Sequence, residues 1–513
     1  MGSKCTKRSP PILRHETSGF ILSYGYSRSH GQNALKLKSR AAGQHFAVHT
    51  RFNLLAEDGS IIDSQPITEQ VARFIMDNFE GRGDTASFDV YETDLKANRV
   101  LPRAKSTVTP DDVRHKLTTT EHSYTATGTK LLHHWPIFKK FGDTGYGSII
   151  RATMTLHQVC SSRCQYCSTI ARNRADSISL EEAMDFVRKL YQQQAQFNQE
   201  TFPEHNRLYK EVTGSDIRLK GLILSGGGQP NLWPHFKDFV CWLSFLDIDL
   251  GLITNGFPAR VPDEVYGQFK WVRISITPED ASPHYKDGQF NKQLIPASLK
   301  NNPQLTVGYS YVYGPWTDDD ILRRISDSME ENGFTYCRML TDCNLTRAAQ
   351  LRAHQALSER LHRLGFISDD GTPVGRFFHQ LKYHGTAEEA VELWDQGQCF
   401  LQTYNVFWDT TGHEENGRSY CYACDSITVL AEESSDSAIS ASERRFDHTQ
   451  WGTVPNNEVE RLFTEPVKTF FDPRQVCSSC LFMRNNSAVK SLVACRDCKF
   501  IVVEPDIDHV NFP

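Results

Sequence analysis

Cys160, Cys164 and Cys167 stand together in Cys160-Ser-Ser-Arg-Cys164-Gln-Tyr-Cys167. Three thiolates on one short loop can grip three corners of a cubane iron–sulfur cluster. Such clusters normally take four thiolates. A three-thiolate loop therefore leaves one iron open, by the logic that separates open catalytic metal sites from closed structural ones. A zinc loop and three packed thiols are the competing readings. The stretch directly follows the apolar run Ile149–Leu156. That places it at the C-terminal end of a strand, where barrel active sites lie.

The elements that must position this loop follow from periodicity. Six apolar strands recur after residue 148: Ile149–Leu156, Leu219–Leu224, Leu250–Thr254, Trp271–Ile276, Leu305–Val312 and Phe334–Leu340. Helical segments lie between them. The first opens with a capping box, Ser179 with Glu182, and repeats apolar residues at helical spacing from Leu180 to Tyr191. Alternation of this kind predicts parallel βαβ units. The fold class expected is α/β, a partial (β/α)6 barrel over 146–365, with the polar stretch 192–216 as an insertion. Before it, 46–145 reads as a small α+β domain and linker. Its elements are a hairpin through Phe46–Leu55 and Ile61–Ile62, turning at Asp58-Gly59, a helix at Thr68–Phe79, a strand at Phe88–Tyr91 and a linker over 121–145. Residues 1–45 read as a basic, flexible arm, and 366–513 as a Cys-rich extension with a flexible loop at Ser434–Ser442.

With these positions in hand, the chain resembles the radical S-adenosylmethionine (SAM) superfamily over roughly 148–345. CxxxCxxC with an aromatic before the third Cys is that family's signature, and Tyr166 holds the aromatic position beside the SAM adenine. Ser225-Gly226-Gly227-Gly228-Gln229-Pro230 looks like the family's Gly-Gly-Glu-Pro motif, with Gln229 where Glu is usual. There, glycine lets the backbone approach the SAM amino group. Leu252-Ile-Thr-Asn255-Gly256 and Arg273-Ile-Ser275-Ile-Thr277 resemble further SAM-contact segments, the latter toward ribose and carboxylate. The resemblance implies a [4Fe–4S] cluster on Cys160, Cys164 and Cys167, SAM chelated at the open iron, and reductive cleavage to a 5′-deoxyadenosyl radical that abstracts hydrogen from a substrate C–H. It also implies an electron donor such as flavodoxin or ferredoxin.

Seven more cysteines fall at Cys399, Cys421, Cys424, Cys477, Cys480, Cys495 and Cys498. Val406-Phe-Trp-Asp-Thr-Thr-Gly412, leading to Tyr420-Cys421, resembles the hairpin of SPASM and twitch extensions. That resemblance implies an auxiliary [4Fe–4S] cluster on Cys399, Cys421, Cys477 and Cys480, capping the open mouth of the barrel. The chain departs from the full SPASM pattern after Cys480. Cys477-x2-Cys480-x14-Cys495-x2-Cys498 is also close to a four-thiolate zinc ribbon, so zinc competes, and Cys424, Cys495 and Cys498 are further ligand candidates.

Composition bounds the rest. The 513 residues carry a net charge of −6, which argues against a globally basic nucleic-acid binder. Residues 1–51 nonetheless hold nine Lys and Arg against Glu16 alone, a solvated arm or a site for an anionic partner. Absence of a spanning apolar run or signal segment predicts a cytoplasmic protein without a transmembrane helix. Met-Gly-Ser-Lys-Cys-Thr fits the short N-myristoylation pattern at Gly2. Fourteen cysteines in such a chain point to metal sites rather than disulfides. Oxidation, epimerisation or cross-linking of a ribosomal peptide is one expected activity, since 46–120 weakly resembles the winged-helix leader-binding domain of peptide maturases. The same chemistry on a small polar metabolite is another. An RNA-modifying enzyme is an alternative, and a non-catalytic iron–sulfur or zinc protein is the alternative of a different class. His133-His134 is read as a surface or packing pair. Tyr309 and Tyr311 are read as barrel-interior packing or substrate wall, and Cys337 and Cys343 as buried thiols or, less simply, hydrogen-atom donors.

Overall fold

In the computed structural model, the described residues are six strands between 13 and 66 and most of 128–513. The gaps after 128 are 163, 168–172, 257–261, 277–296, 304, 343–344, 346, 369–375, 381–398, 411–418, 425–453, 468–481, 483–484, 487–488, 490–491 and 494–508. Within the segment read as a basic arm the chain forms β1 (Leu13–Glu16), β2 (Phe20–Ser27) and β3 (Gln32–Ser39). With β4 (Phe46–His49) they make an antiparallel sheet in sequence order. The expected hairpin is divided: Phe46–His49 pairs with β3, and only β5 (Arg51–Leu55) pairs with β6 (Ile61–Pro66). Its turn, the helix at 68–79 and the strand at 88–91 lie outside the described residues.

The expected linker contains two helices, α1 (Gly128–His133) and α2 (Trp135–Thr144). Pro136 opens α2, and Gly145, at φ 78°, ends it by donating its N–H to Phe141 O. Trp135, Ile137, Phe138 and Phe141 are buried, which is why a segment with few strand or loop signals folds as a packed helix.

The main sheet has ten strands. After β7 (Arg151–Thr155) the chain runs through α3 (Leu180–Arg188), a π-helical turn Lys189–Gln193, α4 (Gln194–Thr201) and α5 (Pro203–Thr213) to β8 (Gly221–Ser225). The capping box of α3 is formed on both sides, Ser179 with Glu182. The polar stretch read as an insertion is thus helical; its buried Gln194, Asn198, Asn206 and Tyr209 are hydrogen-bonded, which is how polar residues join a packed layer. Then follow α6 (Phe236–Leu243), β9 (Asp249–Thr254), α7 (Asp263–Tyr266), β10 (Trp271–Ile276), β11 (Thr306–Tyr313), α8 (Asp319–Asn332), β12 (Tyr336–Thr341), α9 (Arg347–Arg363), β13 (Phe377–Gln380), β14 (Asn405–Asp409), β15 (Tyr420–Tyr422), β16 (Val454–Pro455) and α10 (Arg461–Thr464). The six predicted strands correspond to β7–β12. Sheet order is β13-β12-β11-β10-β9-β8-β7-β14-β15-β16, parallel from β13 through β14 and antiparallel beyond.

Period-two alternation divides this sheet into two faces. Ala152, Met154, Leu222, Leu224, Leu250, Leu252, Val272, Ile274, Val307, Tyr309, Cys337 and Met339 face the helices in one core cluster. Each large apolar side chain buried there contributes roughly 1.5–3 kcal/mol. Tyr309 and Tyr311 belong to this face. Their hydroxyls meet Ser328 Oγ on α8 at 2.8 Å and Thr317 Oγ1 at 2.9 Å, so they pack the helix layer and are neither barrel interior nor substrate wall. Cys337 faces the same way, which leaves it a buried core thiol; Cys343 lies outside the described residues. The opposite, inner face carries Thr153, Thr155, Ser225, Arg273, Ser275, Ser310 and Arg338 in register. At its N-terminal end His509–Pro513 fill the space between strand starts. Asn511 Nδ2 donates to Asp249 Oδ2 at 2.8 Å, His509 Nε2 meets Thr306 Oγ1 at 3.1 Å, and Phe512 packs on Trp271. The inner face is therefore closed from below, and its C-terminal end bears the candidate site.

Candidate active site at the C-terminal ends of the strands

The cysteine loop leaves β7 at its C-terminal end, as its sequence position required. Cys160, Cys164 and Cys167 are all partly exposed. Cys167 N donates to Cys164 O at 3.1 Å, closing a turn between two of the thiols. Asn255, just after β9, reaches across to this loop. Its Nδ2 lies 3.0 Å from Ser161 Oγ, 3.0 Å from Ser162 Oγ and 3.8 Å from Cys160 Sγ. Tyr166 is anchored to the next strand, with its hydroxyl 3.5 Å from Ile276 O and its ring 5.4 Å from Trp316. Ser275 sits one residue before that anchor on the inner face, half-buried.

The glycine loop after β8 packs directly on the segment leading into the cysteines. A Cβ on Gly228 would lie 2.4 Å from Val159 O and 2.6 Å from His157 O. One on Gly227 would lie 1.6 Å from Gln158 Oε1, and Gly226 has φ 155° with Thr155 Cβ at 2.8 Å from the added atom. Only glycine permits this approach. Two main-chain contacts then pin the loop: Gln229 N donates to Val159 O at 2.7 Å, and His157 Nε2 meets Gln229 O at 2.7 Å.

The surroundings of Gln229 suit an amide. The side chain is buried, and Asn255 N donates to its Oε1 at 2.7 Å. Its Nε2 therefore donates to Asn231 Oδ1 and Thr254 Oγ1. A carboxylate would set an acceptor against Asn231 Oδ1, so an amide is the group that satisfies this pocket. Gln229 ties the glycine loop to the end of β9 through its side chain, rather than presenting that side chain to a ligand.

Residues not singled out from sequence complete the support. Gln158 Nε2 donates to Asp409 Oδ1 at 3.2 Å and Thr410 Oγ1 at 2.9 Å, while Thr410 N donates to Thr155 Oγ1 at 2.8 Å. Gln158, Thr155, Asp409 and Thr410 are all buried. The end of β14 thus braces the strand end that carries the cysteines. The polar pair His157-Gln158 between an apolar strand and Cys160 was the available signal; the partner on β14 had none.

Among the described residues, no three His, Cys, Asp or Glu side chains converge to share one metal ion. A cubane does not ask for that, because each thiolate binds a different iron. Three partly exposed thiols on one loop, with an Asn amide directed at it and a glycine loop alongside, fit a cluster with an open iron.

The C-terminal cysteines are arranged otherwise. β14 and β15 pair with Trp408 opposite Cys421 and Phe407 opposite Tyr422. Cys421 falls in the helix-side core with Trp408 and Phe186. Cys399 and Cys424 fall in the second core, with Phe407, Tyr422 and the α1–α2 residues. The structure therefore separates Cys399 from Cys421 across the sheet and brings Cys399 and Cys424 to one side. Cys424 lies away from the site-bearing end. Asn405, beside Cys399 and Cys424, pairs with Arg151 at the start of β7. Cys477, Cys480, Cys495 and Cys498 lie outside the described residues. His133 and His134 sit at helix ends, not on a strand. His134 is buried, with Nδ1 2.9 Å from Tyr209 Oη, and burial holds its pKa well down.

No protein-family model matches the chain, and no curated protein matches it. Among solved structures, the chain is similar to Streptococcus suis SuiB bound to S-adenosylmethionine. Identity is 11% and the TM-score 0.39, over 65% of this chain and 70% of that one. It is similar to SuiB bound to precursor peptide SuiA at 10% identity and TM-score 0.40, over 92% and 94%. It is also similar to BtrN in complex with AdoMet and 2-DOIA at 9% identity and TM-score 0.29, over 69% and 94%. Likeness this distant does not define a shared fold or family, so the chemistry rests on the residues themselves: a thiol loop, a glycine loop and an amide brought together at one end of a parallel sheet.

Proposed function

We propose that the chain is a radical SAM enzyme in which Cys160, Cys164 and Cys167 ligate a [4Fe–4S] cluster that binds SAM. The observation that carries this reading is the meeting of three strand ends on one loop. β7 supplies the thiols, the glycine loop after β8 lies against their backbone, and Asn255 after β9 holds Ser161 and Ser162. When bound, the cluster supplies the electron that splits SAM to methionine and a 5′-deoxyadenosyl radical, which takes hydrogen from a substrate C–H.

The chain's own residues do the positioning. Gly226, Gly227 and Gly228 keep the backbone bare where a ligand's amino group would approach. Tyr166 and Trp316 form an aromatic wall suited to a purine. Ser275, Ser310 and Arg338 give the inner face polar groups for a polar substrate, a peptide or a small metabolite. A flavodoxin or ferredoxin is the reductant this chemistry needs. Among the described residues, no helix is long and apolar enough to cross a membrane.

The test is anaerobic reconstitution with iron, sulfide, dithionite and SAM. The wild-type chain should release 5′-deoxyadenosine, and Cys160→Ala, Cys164→Ala and Cys167→Ala should each abolish it. Cleavage that persists in any of the three removes the ligand assignment.

A further inference from the structure

His509–Pro513 joins two parts of the molecule. Toward the helices, Val510 O lies 3.1 Å from His134 Nε2, and Lys130 Nζ on α1 donates to Phe512 O at 3.4 Å. Toward the sheet, Arg151 Nη1 donates to Pro513 O, Asn511 Nδ2 donates to Asp249 Oδ2, and His509 Nε2 meets Thr306 Oγ1. A Cβ on Gly221 would lie 2.1 Å from Asn511 O, so β8 admits the segment only because that position has no side chain. With Trp271 under Phe512, the residues met are the first residues of β7, β8, β9, β10 and β11.

A stack of side chains leads from this segment into the inner face. Phe512 packs edge-on against Trp271, with ring centroids 5.5 Å apart, and both are buried with Ile223. The Arg273 guanidinium lies 5.3 Å from the Trp271 ring and 5.6 Å from the Tyr336 ring, and Arg273 Nε donates to Tyr336 Oη at 3.0 Å. Both rings lie across neighbouring strands where glycine leaves room. A Cβ on Gly251 would lie 2.3 Å from Trp271 Cζ2, and one on Gly308 2.4 Å from Tyr336 Cζ. Arg273 is 7% exposed, and a cation over two aromatic faces is held where those faces are held. Burial, with Lys130, Lys270 and Arg273, lowers the pKa of His509 to about 3, so this imidazole sets no further positive charge beside the guanidinium.

We propose that His509–Pro513 is a plug that positions Arg273, and with it Tyr336, as the floor of the chamber beneath the candidate active site. Phe512 fixes the Trp271 ring, and Trp271 and Tyr336 together fix the guanidinium. Ser275 stands two residues above Arg273 on β10, so the floor lies roughly 7 Å deeper than that hydroxyl. Calling it a chamber floor rests on the reading of the strand ends as an active site; the hold of the plug on Arg273 does not.

The test reads arginine reactivity toward phenylglyoxal on the full chain, purified anaerobically and without added SAM, so its outcome is separate from that of the SAM reading. Peptide mass spectrometry gives the rate at Arg273, at the exposed Arg207 on α5, which monitors the reagent, and at Arg360 on α9, which lies over the Tyr313 ring and registers general loosening. In the wild-type chain Arg273 should react at least ~100-fold more slowly than Arg207. Phe512→Ala should raise the Arg273 rate at least ~10-fold and leave Arg207 and Arg360 unchanged. Gly221→Ala, which alters the seat of the plug and not the stack, should do the same, and the double variant should add nothing, because two changes that unseat one element are not additive. Should either variant fail to fold, Asn511→Ala decides. It removes one hydrogen bond of the plug and should raise the Arg273 rate about 3- to 10-fold. Wild-type Arg273 as reactive as Arg207, an unchanged Arg273 rate in folded Phe512→Ala or Asn511→Ala, effects that multiply in the double variant, or an equal rise at Arg360 would each overturn the proposal.

Discussion

Two groups of thiols sit in opposite surroundings on one sheet. The loop of Cys160, Cys164 and Cys167 is partly exposed and held by neutral donors and bare glycine backbone. Cys399, Cys421 and Cys424 are buried, and burial pushes the Cys399 thiol up to about 11. The first group can exchange ligands with solvent; burial holds the Cys399 and Cys421 thiols in the protonated form. The contrast teaches that cysteine count and spacing announce metal chemistry, whereas exposure separates an open reactive centre from a closed one.

The largest effect should be in reactivity. Iodoacetamide at neutral pH should modify the three loop thiols of the metal-free chain at least ~1000-fold faster than Cys399, Cys421 and Cys424, since reaching the latter requires local opening of about 4 kcal/mol. Peptide mass spectrometry reads the six rates separately. Comparable rates would erase the distinction between the two groups.

The exposed group should depend on backbone and the buried group on side-chain packing. Gly228→Ala sets a methyl against two main-chain oxygens that cannot swing aside. It should cost about 2–4 kcal/mol in urea unfolding and weaken SAM binding. A wild-type midpoint with undisturbed SAM affinity would show that the close approach is not needed.

A smaller effect probes the buried side through pH. Lys140 on α2 donates to Gly147 O at 2.9 Å, Ser148 Oγ at 2.9 Å and Asn198 Oδ1 at 2.6 Å. Burial lowers its pKa to about 7. Because the folded value lies below the unfolded one, its contribution is present above the unfolded pKa and is lost as pH falls toward the folded value. Measured against Lys140→Met, wild-type stability should therefore fall by up to about 2–3 kcal/mol from about pH 9 to about pH 7. A pH-independent difference in calorimetry would mean that Lys140 keeps its charge when buried.

Much of this architecture was legible because its signals are local. Six apolar runs gave six strands, and Ser179 with Glu182 gave a helix start. Gly226, Gly227 and Gly228, read from sequence as a bare backbone beside a ligand, pack on Thr155, Gln158 and Val159. The helices over 128–144 were missed because α2 is stabilised by burying Trp135, Phe138 and Phe141 against distant residues. Tyr309 and Tyr311 were misplaced because alternation gives two faces without saying which one the helices cover. The division of Phe46–Leu55 between two partners is likewise invisible in its own residues.

What the amino-acid order determined by itself was the thiol loop and its place after a strand. What only the tertiary structure decided was that β14 would pair in parallel with β7. That pairing lets Asp409 and Thr410 brace Gln158, and it sets Cys399 and Cys424 at the far end of the sheet. The physical reason is separation: β7 and β14 lie some 250 residues apart in sequence. Nothing in either strand's local pattern encodes the partner that side-chain packing and hydrogen bonding select once the chain has closed that distance.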